Sequence, residues 1–270
     1  MLKRWGWVVG IAMLCALPAA AQTNPSVDEI IAKNNTARGG LDKVKAMQSV
    51  RMSGRVLIGP GIEAPMTLEI KRPGQLRMEF TAQGMTGIQA YDGKGGWQVM
   101  PFTGSSTAEP LAGDDLKDVQ EESDLDGPLV DYQTKGNKVE LVDKEDVEGA
   151  SCYKLKVTKK NGDLEYFYID ADSGLDIKEE SKRTIQGTEQ EVETSLGSYK
   201  EVSGLYFPFS IESGIKGTDQ KQKVMIDKIE VNVPIEDARF AMPAPKPAAT
   251  EPPAATKPPA DAKPPLALMK

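Results

Sequence analysis

The chain has 270 residues, a formal net charge of −7, two cysteines and no histidine. The missing imidazole excludes Ser-His-Asp and Cys-His catalysis and His-ligated zinc or iron, and no carboxylate pair or Ser-Lys spacing replaces it. Without the first 21 residues and the tail from Pro243, 27 basic residues stand against 38 acidic ones, a balance that disfavours nucleic acid and anionic lipid surfaces as partners.

Lys3 and Arg4 precede an apolar run from Trp5 to Leu17, and Ala19-Ala20-Ala21 offers a small-residue cleavage site before Gln22. The run is shorter than the about 20 residues that a spanning helix needs, so residues 1–21 read as a cleaved secretory signal peptide. Cys152 is then the only cysteine of the mature chain and reads as a small structural residue, with no internal disulfide available.

A helix opens the mature chain. Ser26 and Glu29 have capping-box spacing, Val27, Ile30 and Ile31 form an apolar stripe with Asn34, and Gly39-Gly40 ends it. A shorter helical stretch, Leu41 to Met47, follows. One apolar stripe calls for a sheet to cover.

Strands are expected at Ser49–Ile58, Ala64–Arg72, Gln75–Ala82, Gly87–Asp92 and Trp97–Met100. After an interruption they resume at Val139–Val142, Cys152–Lys159, Leu164–Asp170, Leu175–Arg183, Gln190–Tyr199, Leu205–Ser213 and Gln222–Val231. Alternation is clearest on both sides of Pro73-Gly74. Met66, Leu68 and Ile70, then Leu76, Met78 and Phe80, share one face; Thr67, Glu69, Lys71, Arg77 and Glu79 share the other. The greasy face is either ordinary core or a cavity that can open. Asp170-Ala171-Asp172-Ser173-Gly174 lacks the distant Glu and flanking helices of a calcium loop, and reads as a plain turn.

Residues 102–136 interrupt the strands. Leu116 and Val119 share a helical face behind Asp114-Asp115, and Leu125, Leu129, Val130 and Tyr132 follow Gly127-Pro128 or flank it. The insert is either a helical lid or a surface loop with incidental turns. From Pro243 to Lys270 the chain is rich in Pro, Ala and Lys and is expected to be a disordered spacer.

Lys71-Arg72-Pro73-Gly74-Gln75-Leu76-Arg77, then Asp92-Gly93-Lys94, Trp97 and Pro101, and the ending Asp237 to Pro243 with Phe240 before its prolines, resemble the periplasmic LolA-like lipoprotein carrier and lipoprotein-sorting family. The resemblance covers most of residues 26–243. It implies a mainly β fold: a strongly curved, unclosed antiparallel half-barrel (residues 22–242), with the N-terminal helix and the 102–136 lid packed in its concave side. It implies an acyl cavity lined by Leu68, Ile70, Leu76, Met78 and Phe80. Trp97, a core anchor or a cavity wall, is counted with that lining, and Arg72 becomes the latch that holds the lid, although it could also pair only with Glu69 or another acid. The sequence departs from the family where Leu76 and Met78 replace aromatic residues and where the tail is added.

The function so implied is a periplasmic, non-enzymatic carrier that binds an acylated lipoprotein or other lipid. It would act as a monomer, with no cofactor, metal or catalytic residue, between an inner-membrane donor and an outer-membrane acceptor. The alternative is an envelope sensor or scaffold of the same fold that binds lipid or lipoprotein and signals to a partner protein.

Overall fold

The computed structural model describes residues 24–57, 63–185, 187–219 and 221–244. The expected signal peptide, Ile58 and the tail beyond residue 244 lie outside them. The helices are α1 (Val27–Ala37), α2 (Leu41–Ala46), α3 (Gly113–Glu122) and the one-turn α4 (Tyr132–Lys135). The strands before and beside α3 are β1 (Ser49–Leu57), β2 (Glu63–Lys71), β3 (Gln75–Ala82), β4 (Met85–Tyr91), β5 (Gly96–Met100) and β6 (Ser105–Pro110). Those that follow are β7 (Lys138–Val147), β8 (Ala150–Thr158), β9 (Leu164–Asp170), β10 (Asp176–Ile185), β11 (Thr188–Gly197), β12 (Lys200–Val202), β13 (Leu205–Phe207), β14 (Ser210–Ile215) and β15 (Lys221–Val231).

Thirteen strands form one antiparallel sheet in the order β6-β5-β4-β3-β2-β1-β15-β14-β11-β10-β9-β8-β7, and it does not close. The expected mainly β, unclosed fold is the one observed. The described residues divide into two compact units: the first takes those within 24–47, 57 and 126–227, and the second those within 48–56, 63–125 and 228–244.

In the first unit, the Ser26 backbone N–H donates to Glu29 Oε2 at 2.7 Å, and the Glu29 N–H donates back to Ser26 Oγ at 3.3 Å. This capping box satisfies two helix-terminal donors. Ile30 and Ile31 bury into a core made by Leu129, Val139, Leu155, Val157, Phe167 and Ile169, so α1 covers the apolar face of β7–β9. Asn34, the polar member of the stripe, donates through Nδ2 to the Gly174 carbonyl at 2.9 Å and to Asp176, fixing the helix to the β9–β10 turn. That turn closes on itself, with the Gly174 N–H donating to the Asp170 carbonyl at 2.8 Å, as the sequence reading has it.

Gly39 follows α1 at φ +112°, and a Cβ there would lie 2.2 Å from the Gly204 carbonyl oxygen. Gly40 has φ +102° with open space around it. Gly39→Ala is expected to lower stability by more than about 1 kcal/mol, and by more than Gly40→Ala does. Urea midpoints of the two variants check this, because only the first adds an overlap to the backbone strain.

The opposite face of this unit carries charge. Glu180 is buried but paired with Lys178 at 2.7 Å and Lys216 at 3.0 Å, and Glu193 pairs with Lys221 at 3.1 Å. Lys154 and Lys178 lie over the Tyr168 ring. Much of the charge counted in the sequence sits here. Cys152 is buried and free, and burial pushes its thiol up to about 11.

In the second unit, β2 and β3 pair with Met66 opposite Phe80, Leu68 opposite Met78 and Ile70 opposite Leu76. The Pro-Gly turn therefore holds the register that the alternation requires. Helix α3 packs on β3, β4 and β5.

Two expectations need correction. Within the 102–136 segment, Ser105–Pro110 is strand β6, which pairs with β5 (Gln98 opposite Glu109). Its polar sequence has no apolar alternation because it is an edge strand, so periodicity cannot reveal it. The expected strand Leu205–Ser213 is split at Pro208 into β13 and β14, because Pro lacks the N–H needed to continue a ladder. β13 instead pairs with β12 in a separate two-stranded hairpin.

Candidate functional site

Strand register decides which side chains meet in the second unit. Leu76 lies opposite Tyr91, and Tyr91 opposite Gly96; Met78 lies opposite Gln89, and Phe80 opposite Gly87. Leu68, Ile70, Leu76, Met78 and Phe80 therefore stand on one face, as expected. Gly96 lies on that face too. A Cβ there would come within 2.9 Å of Leu116, 3.1 Å of Leu111 and 3.2 Å of Val119. The missing side chain lets α3 approach the sheet, and Leu116 and Val119 are the two residues whose spacing placed them on one face of the helix.

The cover is uneven. Leu76 is fully buried and Ile70 is 9 % exposed, whereas Leu68, Met78 and Phe80 are only half-buried. Phe80 stacks on Phe102 with ring centroids 5.3 Å apart, and Phe102 is itself 39 % exposed. Gly87 makes this stack possible, since a Cβ there would fall 2.6 Å from the Phe80 ring. Gly87, Tyr91 and Phe102 escaped the sequence reading, although the alternation of β4 held the signal for the first two.

Trp97 does not join this group. It lies opposite Ala90, and Ala90 opposite Arg77, so its ring sits on the other face. Its Nε1–H donates to the Phe240 carbonyl at 2.8 Å, and the Arg77 guanidinium lies 5.5 Å over the ring. Trp97 is a core anchor under the chain's own C-terminal segment. That segment is a strap: Phe240 is fully buried, Arg77 Nη1 donates to the Arg239 carbonyl, and Lys71 Nζ donates to the Ile235 carbonyl. The chain enters Phe240 through a single 3-10 turn, Asp237–Arg239. Glu69, only 2 % exposed, accepts from Arg51 Nε at 2.8 Å and from Arg239 Nη2 at 2.8 Å.

Arg72 donates its backbone N–H to the Gln48 carbonyl at 2.9 Å, and its side chain is half-buried. Two residues on, a Cβ on Gly74 would lie 3.4 Å from Ser123 Oγ at the C-cap of α3. The turn that contains Arg72 thus abuts the end of the covering helix.

The first unit contains a separate cavity of about 240 Å³, bounded by Val44 and Met47, residues 126–129, Phe167, Leu196, and the hairpin residues 205–208. Arg38, Asp176, Glu179 and Tyr199 bring polar groups into its wall. A β-bulge at Ile177 explains the pair of acids. Asp176 lies opposite Ile169, but Lys178 lies opposite Tyr168 and Glu179 opposite Phe167. Asp176 and Glu179, three residues apart, thereby share the helix-covered face. Burial, followed by the neighbouring Asp176, pushes the Glu179 carboxyl up to about 8. Burial also raises Asp176, against the opposing influence of Arg38 and Asn34, and raises the Tyr199 phenol, whose O–H donates to the Asp176 carbonyl at 2.7 Å. Strict alternation would have separated the two acids, so sequence reasoning missed them. Among the described residues, no group of three or more His, Cys, Asp or Glu is arranged to hold a metal ion.

No protein-family model matches the chain, and no curated protein matches it. Solved structures do. A DUF1329 family protein from Desulfovibrio piger superposes with a TM-score of 0.55 at 15% identity, covering 81% of this chain and 98% of that one. A putative outer membrane lipoprotein-sorting protein domain from Vibrio parahaemolyticus gives 0.54 at 9% identity, covering 80% and 97%. A LolA superfamily protein from Nitrosomonas europaea gives 0.53 at 12% identity, covering 81% and 98%. At such identities the likeness speaks for the architecture alone: the chain has the LolA-like fold.

Proposed function

We propose that the protein is a periplasmic carrier that holds the acyl chains of a lipoprotein or another lipid against the apolar face of β2–β4 beneath α3. It would receive its cargo from an inner-membrane donor and pass it to an outer-membrane acceptor. The observation that carries this reading is the uneven cover: α3 seals Leu76, while Leu68, Met78, Phe80 and Phe102 continue the same apolar surface half open to water. The likeness to a lipoprotein-sorting domain and to a LolA superfamily protein supports it.

Each methylene removed from water contributes about 0.8 kcal/mol. A guest of several chains would gain far more than a releasable cargo should. A helix that already covers part of the face cancels some of that gain, because the guest must displace Leu116 and Val119 from the sheet. Arg72, in the turn that abuts the C-terminal end of α3, would be the latch that favours the covered state.

The experiment is displacement of a fluorescent fatty-acyl probe from the purified mature chain by a tripalmitoylated lipopeptide. Saturable displacement by the lipopeptide, and none by the same peptide without acyl chains, is the expected outcome. Arg72→Leu should bind the probe but slow its transfer to acceptor vesicles. A chain that takes up no probe, or loses it equally to the unacylated peptide, rules the carrier out.

A further inference from the structure

The first unit's cavity contains chemistry that an acyl carrier does not need. Phe167, Tyr199, Tyr206 and Phe207 give it aromatic walls, and Leu129 and Leu196 give it apolar ones. Into this setting the Ile177 bulge delivers Asp176 and Glu179. Asp176 is engaged by Asn34 Nδ2. The Glu179 side chain makes no hydrogen bond or ion pair with any described residue. Arg38, the cation in the wall, has its Nη1 on the Asp126 carbonyl at 3.3 Å. A half-buried carboxyl group without a hydrogen bond to a described residue, among aromatic faces and beside a second acid, matches the recognition of a cation with an apolar body. Ring faces attract ammonium groups, most strongly where water is excluded, and a carboxyl group facing a second acid is favoured in its charged form by an added cation.

We infer that this cavity binds an ammonium-bearing amphiphile, with the cationic head held by Glu179 and the aromatic walls and the apolar body laid along Leu129 and Leu196. The site lies in the other unit from the α3-covered face, and its test does not depend on the carrier reading. The ammonium could belong to a lipid head or to a free amine amphiphile.

Binding is coupled to a proton. The groups acting on Glu179 are Asp176 and Arg183 on its own strand, Glu165 on β9 and Arg38 at the end of α1; Tyr199 beyond β11 also faces it. In the empty cavity Glu179 keeps its proton at neutral pH, since it titrates near 8. When the cation enters, the O–H bond of the carboxyl breaks, the electron pair stays on the carboxylate, and the proton leaves to solvent. Affinity for the cation should therefore rise about tenfold per pH unit between pH 6 and pH 7, and level off above pH 8.

The test is titration calorimetry of the intact mature chain with decyltrimethylammonium, decylammonium, decanoate and lysophosphatidylethanolamine, each below its micellar concentration, in two buffers of different ionisation enthalpy. Both cations should bind with release of nearly one proton at pH 7, and decanoate at least about tenfold more weakly. Binding of the lysolipid with the same proton release would assign the ammonium to a lipid head; its failure beside bound decylammonium would assign it to a free amine. Glu179→Gln should remove the proton release and flatten the pH dependence. Tightest binding of decanoate, or cation binding with no proton released by the wild-type chain, overturns the inference even if the variant does not fold. Loss of acyl-probe binding in variants of the α3-covered face, with this titration unchanged, would show that the two sites stand or fall separately.

Discussion

Met78→Asp is expected to weaken acyl-probe binding by at least about 100-fold while leaving the unfolding midpoint close to that of the parent chain. Met78 is half-buried, so its side chain contributes modestly to the folded state, yet it lies at the centre of the uncovered apolar rows, opposite both Leu68 and Gln89. Losing about three buried methylene equivalents costs the complex about 2 kcal/mol. Desolvating a carboxylate against an alkyl chain adds a few kcal/mol more, and each 1.4 kcal/mol is a factor of ten. Thr81→Asp is the control. Thr81 belongs to the same strand but to the other face, where its hydroxyl meets that of Thr86 at 2.9 Å. Equilibrium titration of both variants should show loss in the first and parent-like affinity in the second. Equal affinities in the two would mean that the guest does not lie on this face.

The second large effect concerns stability. Arg51→Ala combined with Arg239→Ala leaves Glu69, 2 % exposed, with neither of its cations. A buried carboxylate stripped of its partners costs about 3–5 kcal/mol. Each single variant should cost less, because the remaining arginine still pairs with Glu69. Adding Glu69→Leu to the double variant should recover much of the loss, since it removes the stranded charge. Urea unfolding of the four proteins checks the order. If the double variant is no less stable than the singles, the strap is not held by this cluster.

What could be read from the sequence follows from which rules the structure obeys. Period-two alternation placed Leu68, Ile70, Leu76, Met78 and Phe80 correctly, because β2 and β3 are regular and the Pro73-Gly74 turn preserves their register. The capping box at Ser26 fixed the start of α1, since capping is a local matter of backbone donors. Trp97 was misplaced because facing across a turn depends on how many residues the turn holds. Four residues separate Tyr91 from Gly96, the two pair, and Trp97 falls on the opposite face. Carrying the residue over from a motif does not count them. Asp176 and Glu179 were hidden because a bulge breaks the alternation by which strand faces are read. The strap from Pro234 to Met242 has no periodicity, and its bonds to Lys71, Arg77 and Trp97 span well over 100 residues of sequence.

Hydrogen exchange of the intact mature chain, with and without the tripalmitoylated lipopeptide, tests most directly whether a guest takes the place of the covering helix. Amides of Gly113–Glu122 should exchange at least about tenfold faster in the complex, as α3 leaves the sheet, while those of Gln75–Ala82 exchange more slowly beneath the acyl chains. Bound lipopeptide with α3 exchange unchanged and β3 no better protected would contradict it.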